Sequence, residues 1–201
     1  SRELLPAWAV VDPELTISCP AVVTAHAGLD ALCHAVEALC ARVPEGRSPK
    51  AVFVGKNPVS DATAREAIRL IGGALPAAYA RPGDRDARHD MALGSMLAGV
   101  ALQYPVGEAT HTPHGLGNAV LMPAVLRAIT NARVPELSFL ARCLDPKLAS
   151  ATDADAAGRA PELVARLGES VAVPRGLASL GLQRDQLPEI ARLAHGIRRL
   201  L

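Results

Sequence analysis

The sequence predicts an all-α fold, a helical bundle, on three observations. Helix signals follow one another along the 201 residues with short breaks. Only two stretches look extended, "AWAVVD" at 7–12 and "AVFVG" at 51–55, the first ending at Pro13 and the second at a Gly-Lys-Asn-Pro turn. Alanine is abundant and aromatics are scarce, one Trp, two Tyr and two Phe, so the helices should approach closely. Helices are expected near 24–41, 60–71, 85–102, 115–130, 135–144, 154–167 and 184–201. Thr24, Ser60, Asp84 and Asp155 are the candidate N-caps and Pro135 a first-turn proline. The polar run "RVPEGRSPK" should form an exposed loop. The core is expected to enclose Leu29, Leu32, Val36, Leu39, Ile68, Ile71, Leu93, Leu97, Leu121 and Leu126.

Composition excludes several classes of partner. Twenty-one basic residues against twenty acidic ones leave a formal charge of +1, which gives no field to draw in a phosphate backbone. Five aromatics are too few for a base-stacking surface, so no nucleic acid is expected. Apolar runs such as 119–126 are interrupted, here by Pro123, well short of a membrane span, and the first ten residues lack the pattern of a secretory leader. No membrane association and a cytoplasmic location are the expectation. Cys19, Cys33, Cys40 and Cys143 show neither a CxxC pair nor zinc-ribbon spacing, and are expected to be reduced.

The segment "AGLDALCHAVEAL" poses the first chemical question. Leu29, Leu32, Cys33, Val36, Leu39 and Cys40 recur at three- and four-residue steps and form one apolar stripe. Asp30, His34 and Glu37 form the stripe beside it. Asp30 and His34 stand one turn apart, so a carboxylate and an imidazole project side by side from a rigid backbone. Two readings fit: half of a metal site, in which a divalent cation neutralises the acid and takes the imidazole lone pair, or an Asp–His pair on a wet face. Spacing alone does not choose between them.

A second cluster follows in "GEATHTPHGLGNAVLMPAVL". His111 and His114 sit in a turn before a helix, Pro113 restricts the backbone, and Gly115 and Gly117 permit close approach by other groups. Such a histidine can face a cleft or simply be solvated. "HGLG" lacks a preceding strand and a third glycine, so it is no dinucleotide fingerprint.

Four blocks, "VVDPELTISCP", "TAHAGLDALCHAVEA", "GKNPVSDATAREAIRLI" and "TPHGLGNAVLMPAVL", in this order and at about these separations, resemble the C-terminal metal-binding half of the iron-containing (group III) alcohol dehydrogenases, whose helical domain is shared with dehydroquinate synthase-like proteins. "FVGKNPVSD" and "YPVG" are closer to the hydroxyacid–oxoacid transhydrogenases and related oxidoreductases than to glycerol dehydrogenases. The resemblance implies a helical metal-binding domain over 24–201, preceded at 1–23 by the end of a hinge from a nucleotide-binding domain that this chain does not include. It implies a ferrous ion, or zinc, held by one Asp and three His, with Asp30, His34 and His114 matching three of the four. It further implies NAD(P) as cofactor, a small alcohol, aldehyde or keto compound as substrate, and hydride transfer between them; a homodimer remains open.

One departure stands out. Val100 occupies the place of the remaining histidine, and the run from Gly99 to Tyr104 is shorter than the family pattern by two or three helical turns. Either the segment is lost or the sequence joins residues across an unobserved stretch; in the second case one Cα–Cα step between Gly99 and Thr110 would exceed the ~3.8 Å of a trans peptide. His111 is the residue on hand to replace the ligand. Two other classes stay in view, a catalytically incomplete helical interaction domain that retains the fold, and another metalloenzyme such as a hydrolase. The hydrolase is the weaker, since no HExxH or second carboxylate cluster supplies a general base.

Overall fold

The computed structural model describes residues 9–42, 56–101, 114–189 and 192. Six α-helices carry the architecture: α1 (Ala21–Cys40), α2 (Pro58–Ala80), α3 (Arg85–Ala101), α4 (His114–Ile129), α5 (Val134–Leu144) and α6 (Asp153–Ser170). Short 3-10 turns at Pro13–Thr16, Thr130–Ala132, Pro146–Ser150, Leu177–Leu180 and Arg184–Gln186 fill the breaks. There is no strand among the described residues, in keeping with the all-α expectation. Residues 9–12 are irregular, and the second extended-looking stretch, 51–55, lies outside the described residues. So do the loop at 43–50 and most of the last expected helix, of which the structure shows the 3-10 turn and a helical start at 187–189.

Helix α1 is the hub, packing on α2, α3 and α4, while α5 and α6 pair with each other and join the hub through α2 and α4. Its apolar stripe explains this role, with Leu29, Leu32, Val36 and Leu39 no more than 4% exposed. Facing them are Ile68, Ile71 and Leu75 of α2 and Leu126 of α4, each at most 1% exposed. Alanines 64, 67, 78, 156, 157 and 160 are wholly buried, and they let the helix axes come close, as the composition suggested. At Gly94 of α3 an added Cβ would lie 2.8 Å from Ile71 Cγ1 and 3.2 Å from Leu70 Cβ, so only glycine allows that approach to α2.

Three core expectations differ from the structure. Leu121 is 43% exposed because α4 buries Ala119, Val120, Met122 and Leu126, and position 121 falls on the opposite side of that arc. Leu93 and Leu97 are half-buried, flanking the α3 stripe of Ala87, Met91, Gly94 and Ala98.

The caps shift for local reasons. Helix α1 begins three residues before Thr24, with Pro20 at its N-cap; the Thr24 hydroxyl instead donates to Pro20 O at 3.3 Å and accepts from Arg88 at 2.8 Å. Arg88 also donates to Pro82 O at 2.9 Å, tying the start of α1 to the α2–α3 turn. Asn57, not Ser60, caps α2, and Ser60 completes a capping box from the N3 position. Thr152 caps α6, with Asp155 at N3. Asp84 behaves as expected, accepting from Ala87 N at 3.1 Å, and Pro135 sits in the first turn of α5. Helix α2 runs on through Gly72, Gly73 and Pro76 because Leu75, past the glycines, and Ala78, past the proline, are fully buried, and tertiary packing overrides the breakers. Lys56 donates to Leu39 O at 2.5 Å and pairs with Asp61 at 2.8 Å, which joins the end of α1 to the start of α2.

The four cysteines are free. Burial pushes the Cys33 thiol far up and that of Cys40 up to about 11, so both act as small apolar side chains and neither as a nucleophile. No helix among the described residues is long and apolar enough to cross a membrane.

Because Leu32 is fully enclosed on the hub helix, Leu32→Ala should cost about 2–5 kcal/mol of unfolding free energy, read from chemical denaturation. A cost under about 1 kcal/mol would show that this side of α1 is not the core.

Candidate metal centre

The site is made where α4 begins against the middle of α1. Asp30 and His34, one turn apart on α1, turn the same way, and His114 opens α4 directly opposite. Asp30 Oδ2 lies 3.8 Å from His34 Nε2, and Asp30 Oδ1 lies 3.6 Å from His114 Nε2. The two imidazole centroids are 6.5 Å apart. One donor atom from each of the three residues lies within 4.8 Å of the others.

Gly115 makes this meeting geometrically feasible. An ideal Cβ there would stand 2.2 Å from the His26 carbonyl oxygen and 3.0 Å from Asp30 Cβ, distances no real side chain accepts. The glycine lets the first turn of α4 rest on the α1 backbone, and its neighbour His114 is thereby set beside Asp30. Behind the contact, Ala119, Val120 and Met122 of α4 bury against the core, with Cys33 Sγ 3.1 Å from Met122 Sδ.

Asn118, one turn along α4 from His114, was not singled out from the sequence. Its Nδ2 donates to Asp30 Oδ1 at 2.8 Å and stands 2.9 Å from His114 Nε2. The signal that could have found it is the i,i+4 spacing in "HGLGN", the same spacing that joins Asp30 to His34. Glu37, third on the polar stripe, does not join the cluster; desolvation raises its carboxyl above the ordinary range, Asp30 adds to the rise, and His34 and His114 oppose it.

The donor set suits a divalent ion. One carboxylate and two imidazoles neutralise charge and supply borderline N and O donors. Tetrahedral ligation at ~2.0–2.2 Å places ligand atoms roughly 3.3–3.6 Å apart; here the two Asp30 oxygens lie 3.6 and 3.8 Å from the imidazoles and the donor atoms all lie within 4.8 Å of one another, so binding one ion requires them to draw together. The Asp30, His34 and His114 side chains keep 23, 30 and 42% of their surface exposed, so the cluster faces solvent on one side. Val100 stands half-exposed on the last turn of α3, while His111 and the steps from Ala101 to Thr110 lie among or against residues outside those described.

Comparison with known proteins identifies the family of the chain. Residues 24–199 match the model of the Fe-containing alcohol dehydrogenase family, C-terminal. The chain belongs to that family. It is 36% identical over 209 residues to long-chain-alcohol dehydrogenase 1 of Geobacillus thermodenitrificans, covering 98% of this chain and 50% of the relative. It is 34% identical to the 1,3-propanediol dehydrogenase of Klebsiella pneumoniae, over 94% of this chain and 49% of that one. Among solved structures, a 1,3-propanediol oxidoreductase superposes with a TM-score of 0.79 at 34% identity, over 91% of this chain and 48% of the other. The chain therefore spans about half the length of the curated relatives it matches. The 209-residue match is longer than the 201-residue chain, so that relative holds residues with no counterpart here.

Gly115→Ala should drive α4 away from His26 O and part His114 from Asp30. The expected result is a Zn(II) affinity at least about tenfold weaker by isothermal titration, at a helix content in circular dichroism that is essentially unchanged. Unaltered affinity would mean that the close approach does not set the site.

Proposed function

We propose that this chain is the metal-binding half of an NAD(P)-dependent oxidoreductase that transfers a hydride between a small alcohol or hydroxy acid and its carbonyl partner. The observation that supports the reading most is the convergence of Asp30, His34 and His114 from helices more than seventy residues apart in sequence. One carboxylate and two imidazoles within reach of one point are a donor set that a divalent cation can bind. Family membership agrees, since the named relatives are alcohol and propanediol dehydrogenases.

In this reading Asp30, His34 and His114 hold Fe(II), or zinc, since one carboxylate and imidazoles accept either. The metal supplies Lewis acidity toward a hydroxyl or carbonyl oxygen. The protein's own part is to bring the donors together on rigid helices, to leave one side of them open, and to bury α1 behind them so that they hold their geometry. Residues 24–201 constitute the helical metal-binding domain and 1–23 the end of a hinge from a nucleotide-binding half, which would bring NAD(P) to the open side. The substrate is a small molecule in the cytoplasm, and no nucleic acid takes part.

The 201 residues alone should show no NAD(P)-dependent alcohol oxidation, since no strand leading into a glycine-rich helix start stands among the described residues. Joined to a nucleotide-binding half, the protein should turn over an alcohol with NAD(P)⁺, and Asp30→Ala or His114→Ala should lower kcat/KM at least about 100-fold, several kcal/mol of charge stabilisation being lost. Undiminished turnover in either variant removes these residues from the mechanism.

A further inference from the structure

We propose that the cavity between the start of α1 and α3 is a binding site for a monocarboxylate with a short saturated chain, its carboxylate against Arg88 and its chain along Met91, Met96 and Val23. None of the three donor residues lines it, and the proposal does not rest on the metal reading. The cavity encloses about 420 Å³, within the size range of small-ligand sites. Thr24, Gly28, Arg88 and Met91 form a buried floor, and Val11, Val23 and Met96 an exposed rim. Every lining side chain is apolar or neutral except Arg88.

The guanidinium carries a full charge, and at 3% exposure the residue has lost nearly all its contact with water. Its hydrogen bonds restore only part of that loss. Nε donates to Pro82 O at 2.9 Å, Nη1 to Thr24 Oγ1 at 2.8 Å and Nη2 to Cys19 O at a long 3.5 Å, so every acceptor is neutral. None of the ion pairs among the described residues includes Arg88, and the acids beside the start of α3, Asp84 and Glu14, are taken by Arg81 and Arg85. A buried charge is ordinarily matched by an opposite one. The helix ends do not supply the match, since Arg88 sits in the first turn of α3 and bonds the first turn of α1, two positive ends, against the one negative end of α2. A neutral donor would tie the same three acceptors, so the tie alone does not account for the charge. Five N–H groups and three bonds leave two N–H groups without an acceptor among the described residues, the number a carboxylate can take. The thioethers of Met91 and Met96 and the branched Val23 then give the rest of such a ligand its apolar contact.

The test is calorimetric titration of the 201-residue chain with sodium octanoate in the presence of EDTA, so that no metal takes part, together with NMR of the methionine ε-methyls. Octanoate should bind at one site and shift the Met91 and Met96 methyls. Its affinity should be at least about tenfold above that of 1-octanol or inorganic phosphate, each of which lacks one half of the contacts. Arg88→Gln, which keeps donors and removes the charge, should bring octanoate down to the level of octanol. Met96→Glu, on the exposed rim and outside the Arg88 hydrogen bonds, should weaken octanoate at least about tenfold with the thermal midpoint held within a few degrees, and it decides the matter if Arg88→Gln does not fold. The absence of saturable binding, unmoved methyls, or an unweakened Met96→Glu overturns the proposal. So does octanol or phosphate binding as tightly as octanoate, the first making the cavity merely apolar and the second making Arg88 a plain anion site. The metal reading is untouched by these results, being judged by Zn(II) titration of Asp30→Ala and His114→Ala.

Discussion

The contact of the Gly115 backbone with the His26 carbonyl is the constraint on which the site depends. Asp30 and His34 would project from one face of α1 in any helical structure, because their spacing is set by the helix repeat. His114 and Asn118 reach them only because α4 lies against α1 closer than any side chain would permit. The contact in turn rests on the core behind it, where Leu29, Leu32 and Leu126 are at most 1% exposed and Val120 and Met122 are below a tenth. A single missing Cβ thus converts a packing arrangement into a chemical one.

The fold was legible in the sequence to the extent that it depends on periodicity. The apolar stripe of α1 and the runs that became α3, α4 and α5 repeat at helical spacing over enough turns to identify themselves. The boundaries were less readable where chemistry competes locally. Asn57 and Ser60 are both plausible caps, and only the reciprocal bonds of the capping box decide which of them stands at the helix start. Helix α2 outlasted its Gly-Gly and Pro signals because Leu75, past the glycines, and Ala78, past the proline, gain more from packing than the breakers cost. Leu121 looked like core since leucine favours burial, yet its angular position on α4 faces away from α1 and α6.

The site was half legible for a different reason. Asp30 and His34 could be paired from spacing, and His114 entered through its proline-glycine elbow and through the family resemblance, but no local rule brings residue 114 to residue 30. That step is tertiary. Asn118 escaped because an amide carries no charge to arouse suspicion; its place at the cluster appears only once the carboxylate and the imidazole are seen within 3 Å of the same nitrogen.

The open side of the cluster bears on what kind of chemistry it supports. A structural metal site is closed, with four protein ligands around the ion and little solvent access. Here three donors share one face, and each retains roughly a quarter or more of its side-chain surface exposed. In the proposed reading, the exposed side of the three donors found among the described residues would be the direction from which a substrate meets the metal. Between the start of α1 and α3 lies a cavity of about 420 Å³ lined by Val23, Thr24, Met91 and Met96, with Val22 and Val23 about half-exposed beside it. Val23, Ala27, Asp30 and His34 follow one another at three- and four-residue steps, so one stripe of α1 leads from that apolar surface to the donor cluster. The helix that forms the hub of the core thus carries that apolar surface and the donor cluster on one stripe, which is why its buried face and its exposed face must be held in register by the same backbone.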